Sequence, residues 1–172
     1  MLTIDSLESC ATARPFLAAA FDLVRGCSRI ALDLRGNGGG DPATLTAIAG
    51  RLLGPDAQHL SDVVYRDRRR QWWTDPGPAL TVPAAVLVSG DTYSSAEALA
   101  YHLQARGRVT VLGERTRGAA DHITPIRLVP QVLGFLPEAY VLDAATGGNW
   151  EQTGVIPDVE CPAGEALDRW LG

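Results

Sequence analysis

Two periodicities alternate along the chain. Ile30-Ala-Leu-Asp-Leu34 and Val82 to Val88 are short, nearly continuous apolar runs, the form of strands covered on both faces. Between and around them apolar residues return at helical spacing. Ala11–Arg25 carries Phe16, Leu17, Ala20, Phe21, Leu23 and Val24 and stops at Gly26. Pro42 opens a second helix through Leu45, Ile48, Ala49, Leu52 and Leu53, which ends near Gly54. Met1–Ser6 alternates as a short strand. A turn at Ser89-Gly-Asp91 leads to a helix from about Ser94 to Ala105. Thr110–Leu112 reads as a strand followed by a Gly/Ala-rich loop through Ala120. Ile123–Leu128 and Tyr140–Leu142 are further strand candidates, and Gly164–Leu171 a closing helix. Arg66–Pro78 holds four arginines, two tryptophans and Asp75-Pro-Gly-Pro78, which predicts a loop or a twisted hairpin, with His59 in a loop before a strand. The alternation of strand and helix predicts an α/β layer structure with crossover connections.

The length, 172 residues, suits one domain over 1–172, and 46% apolar against 20% charged residues supports a true core. A net charge of −5, with basic residues scattered apart from one short run, argues against a nucleic-acid partner. No apolar stretch reaches the length of a membrane span, so no membrane partner is expected. Cys10, Cys27 and Cys161 stand far apart, outside any Cys-x-x-Cys pair, so no metal is expected. Neither a P-loop lysine nor dinucleotide spacing is present, and no cofactor is expected. The N-terminus lacks a basic stretch followed by an apolar run; together with the odd cysteine count this makes the cytoplasm the expected location. The chain contains no lysine.

Three local patterns can carry chemistry. In Val86-Leu-Val-Ser-Gly-Asp-Thr-Tyr-Ser-Ser-Ala-Glu97 a buried strand ends, the chain turns, and a helix begins at Ser94 or Ser95. A serine there lies at the C-terminal edge of the sheet, beside free N–H groups of a first helical turn. The same four residues, Ser94-Ser-Ala-Glu97, also fit a capping box. Leu32-Asp-Leu-Arg-Gly-Asn-Gly-Gly-Gly40 follows a strand with glycines that let backbone N–H groups approach a ligand, or that simply turn the chain. Asn149-Trp-Glu-Gln-Thr-Gly-Val-Ile-Pro-Asp158 places Glu151 in a loop, where an exposed surface glutamate is the plainer reading.

Taken in order with Gly113-Glu-Arg-Thr-Arg-Gly118, these segments resemble the tail-specific (C-terminal processing) peptidase family, in the branch of the interphotoreceptor retinoid-binding protein modules and the tricorn core. The resemblance runs from the first strand to Val159. It implies an α/β fold of the ClpP/crotonase type, built from repeated β-β-α units, and a serine peptidase or related acyl hydrolase acting on a peptide or small acyl substrate. It places the nucleophile on Ser94 and the oxyanion hole on the N–H groups of Ser95 and Gly39. Its motif glutamates fall on Glu97 and Glu151. It also implies a chain that starts at the first core strand, without the helical N-terminal region or PDZ-like module of relatives. A homo-oligomer stays open, as does a binding module that keeps the fold without turnover.

The lysine that many relatives pair with the serine falls at about Ala119 here, so a Ser/Lys dyad is excluded. The base must then be sought among three histidines. His102 lies eight residues beyond Ser94 on one helix, about 12 Å away, too far for direct proton transfer, and is expected on the helix surface or in a satisfied core position. His122 follows Gly118-Ala-Ala-Asp121 in the loop that carries the lysine elsewhere and is the better candidate, with Glu151 or Asp121 to orient its ring. A base from a neighbouring subunit or another segment is the alternative. The Arg66–Trp73 segment is either a wall of a substrate cleft or an exposed basic loop with core tryptophans.

Overall fold

The computed structural model describes residues 1–172. Its centre is a five-stranded parallel sheet in the order β1-β2-β5-β6-β9, formed by β1 (Leu2–Thr3), β2 (Ile30–Asp33), β5 (Ala84–Val88), β6 (Thr110–Gly113) and β9 (Val159–Glu160). The apolar runs are continuous because both faces are covered. Ile30, Leu32, Val86 and Val88 face the main core, under α2 (Pro42–Leu53) and α3 (Ser95–Ala105). Their neighbours Ala31, Ala85 and Leu87 face a smaller core with Leu112 and Ala166, the latter on α4 (Ala166–Leu171). Asp41 caps α2 by accepting the Ala43 N–H at 2.9 Å, with Pro42 in the first turn, as the helix-start pattern predicts.

A second, antiparallel sheet in the order β4-β3-β8-β7 consists of β3 (His59–Tyr65), β4 (Arg69–Trp73), β7 (His122–Val129) and β8 (Val132–Asp143). The arginine-rich segment is thus the hairpin alternative, turned by the Tyr65 N–H donating to the Arg68 carbonyl at 2.9 Å. His59 is the first residue of β3 rather than a loop residue. The strand at Tyr140 is longer than its sequence pattern indicates, because β8 begins at Val132 and pairs with β7 as a long hairpin. Its outer part is apolar and exposed on both faces (Leu128, Leu133, Phe135, Leu136), so no alternation marks it.

The first helix, α1 (Cys10–Leu23), also departs from its pattern. Phe21 is buried, but Phe16 and Leu23, on the apolar stripe of the sequence, are 72% and 84% exposed. No helix is long and apolar enough to cross a membrane.

Candidate active site

The site forms where β5 runs out at the C-terminal edge of the parallel sheet. The turn beyond it is sewn to the segment after β2. Thr92 Oγ1 donates to the Leu34 carbonyl at 2.9 Å, Ser89 Oγ to the Arg35 carbonyl at 2.6 Å, and the Tyr93 N–H to the Asn37 carbonyl at 3.0 Å. These bonds bring the turn at residues 89–94 against the glycine loop at residues 36–40.

Ser94 then adopts φ 55° and ψ −123°, one of only two non-glycine residues with positive φ. Such a conformation costs about 1–3 kcal/mol and persists only where neighbours enforce it. Glu97 is the main enforcer. Its carboxylate is fully buried, and Oε2 accepts the Ser94 N–H at 2.7 Å and the Ala119 N–H at 2.9 Å. Oε1 accepts the Thr116 hydroxyl and the Gly118 N–H, each at 2.6 Å. One side chain therefore joins the serine turn to the loop at 116–119. Glu97 is a positioning residue, since its lone pairs are occupied by these four donors. The capping reading of Ser94-Ser-Ala-Glu97 is compatible with the nucleophile reading, because the bond that caps α3 also fixes the strained serine.

The glycine loop approaches closely. A Cβ on Gly39, at φ 92°, would stand 2.8 Å from the Tyr93 carbonyl oxygen and 2.9 Å from Ser94 Cβ, so only glycine fits. Its assigned role, however, needs correction. The Gly39 N–H donates to Asn37 Oδ1 at 2.8 Å and is not free for an oxyanion. The N–H groups of Gly40 and Ser95 have no acceptor within the chain, and Ser95 Oγ donates to the Gly40 carbonyl at 2.8 Å, holding the two residues side by side. Asn37 was missed by the sequence reading. Its signal was present, since a short amide just before glycines favours this kind of local turn.

Ser94, Ser95 and Gly40 line a cavity of about 180 Å³, closed by Trp72, Trp150, Ala98, Ala119 to Ile123 and Pro42. Of the arginine-rich segment, Trp72 alone reaches it. His122 is on its wall, with its ring edge-on to Tyr65 and Trp72 and Nε2 3.7 Å from Glu138 Oε1. No side chain caps or bonds the Ser94 hydroxyl. Glu151 does not orient the His122 ring: its Oε2 accepts the N–H groups of Ala120 at 2.7 Å and Asp121 at 2.9 Å. It shapes the loop instead. Asp121 also lines the cavity, and burial, with the Glu151 charge beside it, pushes its carboxyl above the ordinary range.

The other two histidines lie elsewhere. His102 is fully buried, with Nδ1 2.7 Å from Asp143 and Nε2 3.4 Å from Ser61 Oγ. The sequence of partners resembles a catalytic triad, but none of the three lines the Ser94 cavity. Burial lowers the imidazole below its ordinary value. His59 Nε2 lies 3.3 Å from Asp62 Oδ1 without forming a hydrogen bond, and its ring stacks on Trp73. A larger cleft of about 690 Å³ lies over Asp33, Arg35 and Asp91; its one serine, Ser89, has its hydroxyl committed to the Arg35 carbonyl.

The model of peptidase family S41 matches residues 1–161. Among solved structures, the photosystem II D1 C-terminal processing protease is 26% identical over 99% of this chain, with a TM-score of 0.78. A lipoprotein from Streptococcus agalactiae is 19% identical over 98% of this chain, with a TM-score of 0.75, and the tricorn protease is 20% identical over 98%, with a TM-score of 0.54. This chain spans 45% of the D1 protease, 63% of the lipoprotein and 16% of tricorn. The likenesses fix the α/β, ClpP/crotonase-like fold expected from the sequence.

Proposed function

This chain belongs to peptidase family S41, and on that premise we propose that it is the core of a serine peptidase that transfers the acyl group of a peptide or small acyl substrate to Ser94. In this reading Ser94 Oγ attacks the carbonyl carbon, and the oxyanion that forms is held by the Ser95 and Gly40 N–H groups. Each such donor is worth about 10²–10³ in rate. His122, the imidazole on the cavity wall, takes the hydroxyl proton and returns it to the leaving amine. Water then releases the acyl group by the same route. Glu97 and Glu151 hold the two loops that frame the reaction.

The observation that carries the reading is the strained backbone of Ser94 beside an N–H without an acceptor, on the wall of a cavity. A second reading, a binding module of the same fold without turnover, is favoured by the free Ser94 hydroxyl and the lack of any lysine. Incubation with a peptide mixture, followed by mass spectrometry of new termini, separates the two. Cleavage that disappears in Ser94→Ala supports the peptidase; no new termini, with peptides retained on the protein, supports the binding module.

A further inference from the structure

The cavity is small and mostly apolar, with indoles from Trp72 and Trp150 and the side chain of Ile123 among its walls. Asp121 is the one residue of fixed charge that lines it. Neither Asp121 nor Glu151, which lies directly behind the Asp121 backbone, forms an ion pair with any cation of the chain. The arginine nearest in sequence, Arg117, is turned to Asp91 at 3.3 Å. Glu151 is held against the Asp121 backbone, and neither carboxylate is in an ion pair, although Asp121 also borders a groove that it shares with Arg66 and Glu138.

We propose that this cavity selects a substrate with an alkylammonium side chain, of the lysine type, beside the bond to be cleaved, and that Asp121 is its counter-charge. The inference rests on the reading of Ser94 as a nucleophile facing the same space. Size agrees: at about 30 Å³ per heavy atom, a water's share of liquid volume, a butylammonium group takes about 150 Å³, within the 180 Å³ present. Its methylenes meet the apolar walls, and indole rings attract a cation. The ammonium also relieves the repulsion between the two carboxylates. Burial first, and the Glu151 charge second, hold the Asp121 carboxyl above its ordinary range, as expected of a carboxylate without a cation beside it.

The test compares two peptidyl diphenyl phosphonates that differ only in lysine against norleucine, which has the same length without the charge. It is run at about pH 8, where a lysine ammonium stays charged. The lysine probe is expected to label Ser94 about tenfold faster, the discrimination typical of one charge-assisted contact. That ratio falls to about one in Asp121→Asn and Asp121→Ala and largely returns in Asp121→Glu. Equal or faster labelling by the norleucine probe, or a ratio unchanged in Asp121→Asn, overturns the inference. A small fluorophosphonate that still labels Ser94 in that case shows that the nucleophile reading survives. Where no phosphonate labels, calorimetry of Nα-acetyl-lysine methylamide against the norleucine amide reads the preference without turnover. Equal affinity, or no binding of either, overturns it.

Discussion

Ser94 and Glu97 set the terms at the scale of single residues. A serine at φ 55° and ψ −123° is strained where glycine would not be. Ser94→Gly is therefore expected to raise stability to urea by about 1 kcal/mol, whereas Ser94→Ala, equally strained, stays within about 0.5 kcal/mol of the parent. A loss of stability in Ser94→Gly would mean that the backbone at 94 holds no strain. Glu97→Gln replaces a carboxylate that accepts four hydrogen bonds by an amide whose NH₂ can accept none. It is expected to lose about 3 kcal/mol in the same titration, a charge-assisted bond being worth about 1.5–3 kcal/mol. A change below about 0.5 kcal/mol would contradict its role as the tie between two loops. The sequence pointed to Ser94, because a serine between a buried strand and a helix has few places to go. It did not show which glycine keeps a free N–H. That choice depends on Asn37 Oδ1 folding back onto Gly39, a contact two residues long that several rotamers of Asn37 could make or miss.

Among the elements, those that carry both faces of the parallel sheet were legible, because β2 and β5 are buried twice and have no polar face to confuse them. β3 and the β7–β8 hairpin were legible only in part. For β3 only its start was misplaced, and of the hairpin only the Val132–Ala139 part was missed, because Leu133 and Phe135 are exposed in spite of their apolar character and leave no alternation to read. The α1 stripe misled for the same reason, since Phe16 and Leu23 face outward. His102, on α3, links that helix to the second sheet through Asp143 on β8, and Arg106 joins the same carboxylate at 2.8 Å. This link makes stability depend on pH. Burial holds the folded imidazole below its usual value of about 6.5, so the unfolded chain binds a proton that the folded chain refuses. Its contribution is complete above about pH 6.5 and declines as pH falls from there. Burial pushes the Asp143 carboxyl up, but the hydrogen bonds from His102 and Arg106 outweigh it and hold it well below the usual range. Its share is present above about pH 4 and is lost as pH falls further. The urea midpoint is expected to drop between about pH 7 and pH 5, and His102→Gln to flatten that interval. A parent midpoint constant across it would contradict the assignment.

For the whole molecule, the two sheets and the helix between them converge on one place. The parallel sheet delivers Ser94, the segment after β2 delivers the glycine amides, and the second sheet, with the loop before β7, supplies Trp72, Asp121 and His122. No single element builds the cavity, which explains why four separated motifs had to be read together to see it. The larger cleft over Asp33 and Arg35 shows that volume alone does not mark a site. What distinguishes the smaller cavity is a serine held under backbone strain next to amide donors without an acceptor. The most direct test is the intact mass of the chain after treatment with a fluorophosphonate, followed by mapping of the adduct. The account predicts one adduct per chain, on Ser94, absent in Ser94→Ala. An unmodified chain, or an adduct on any other serine, would contradict it.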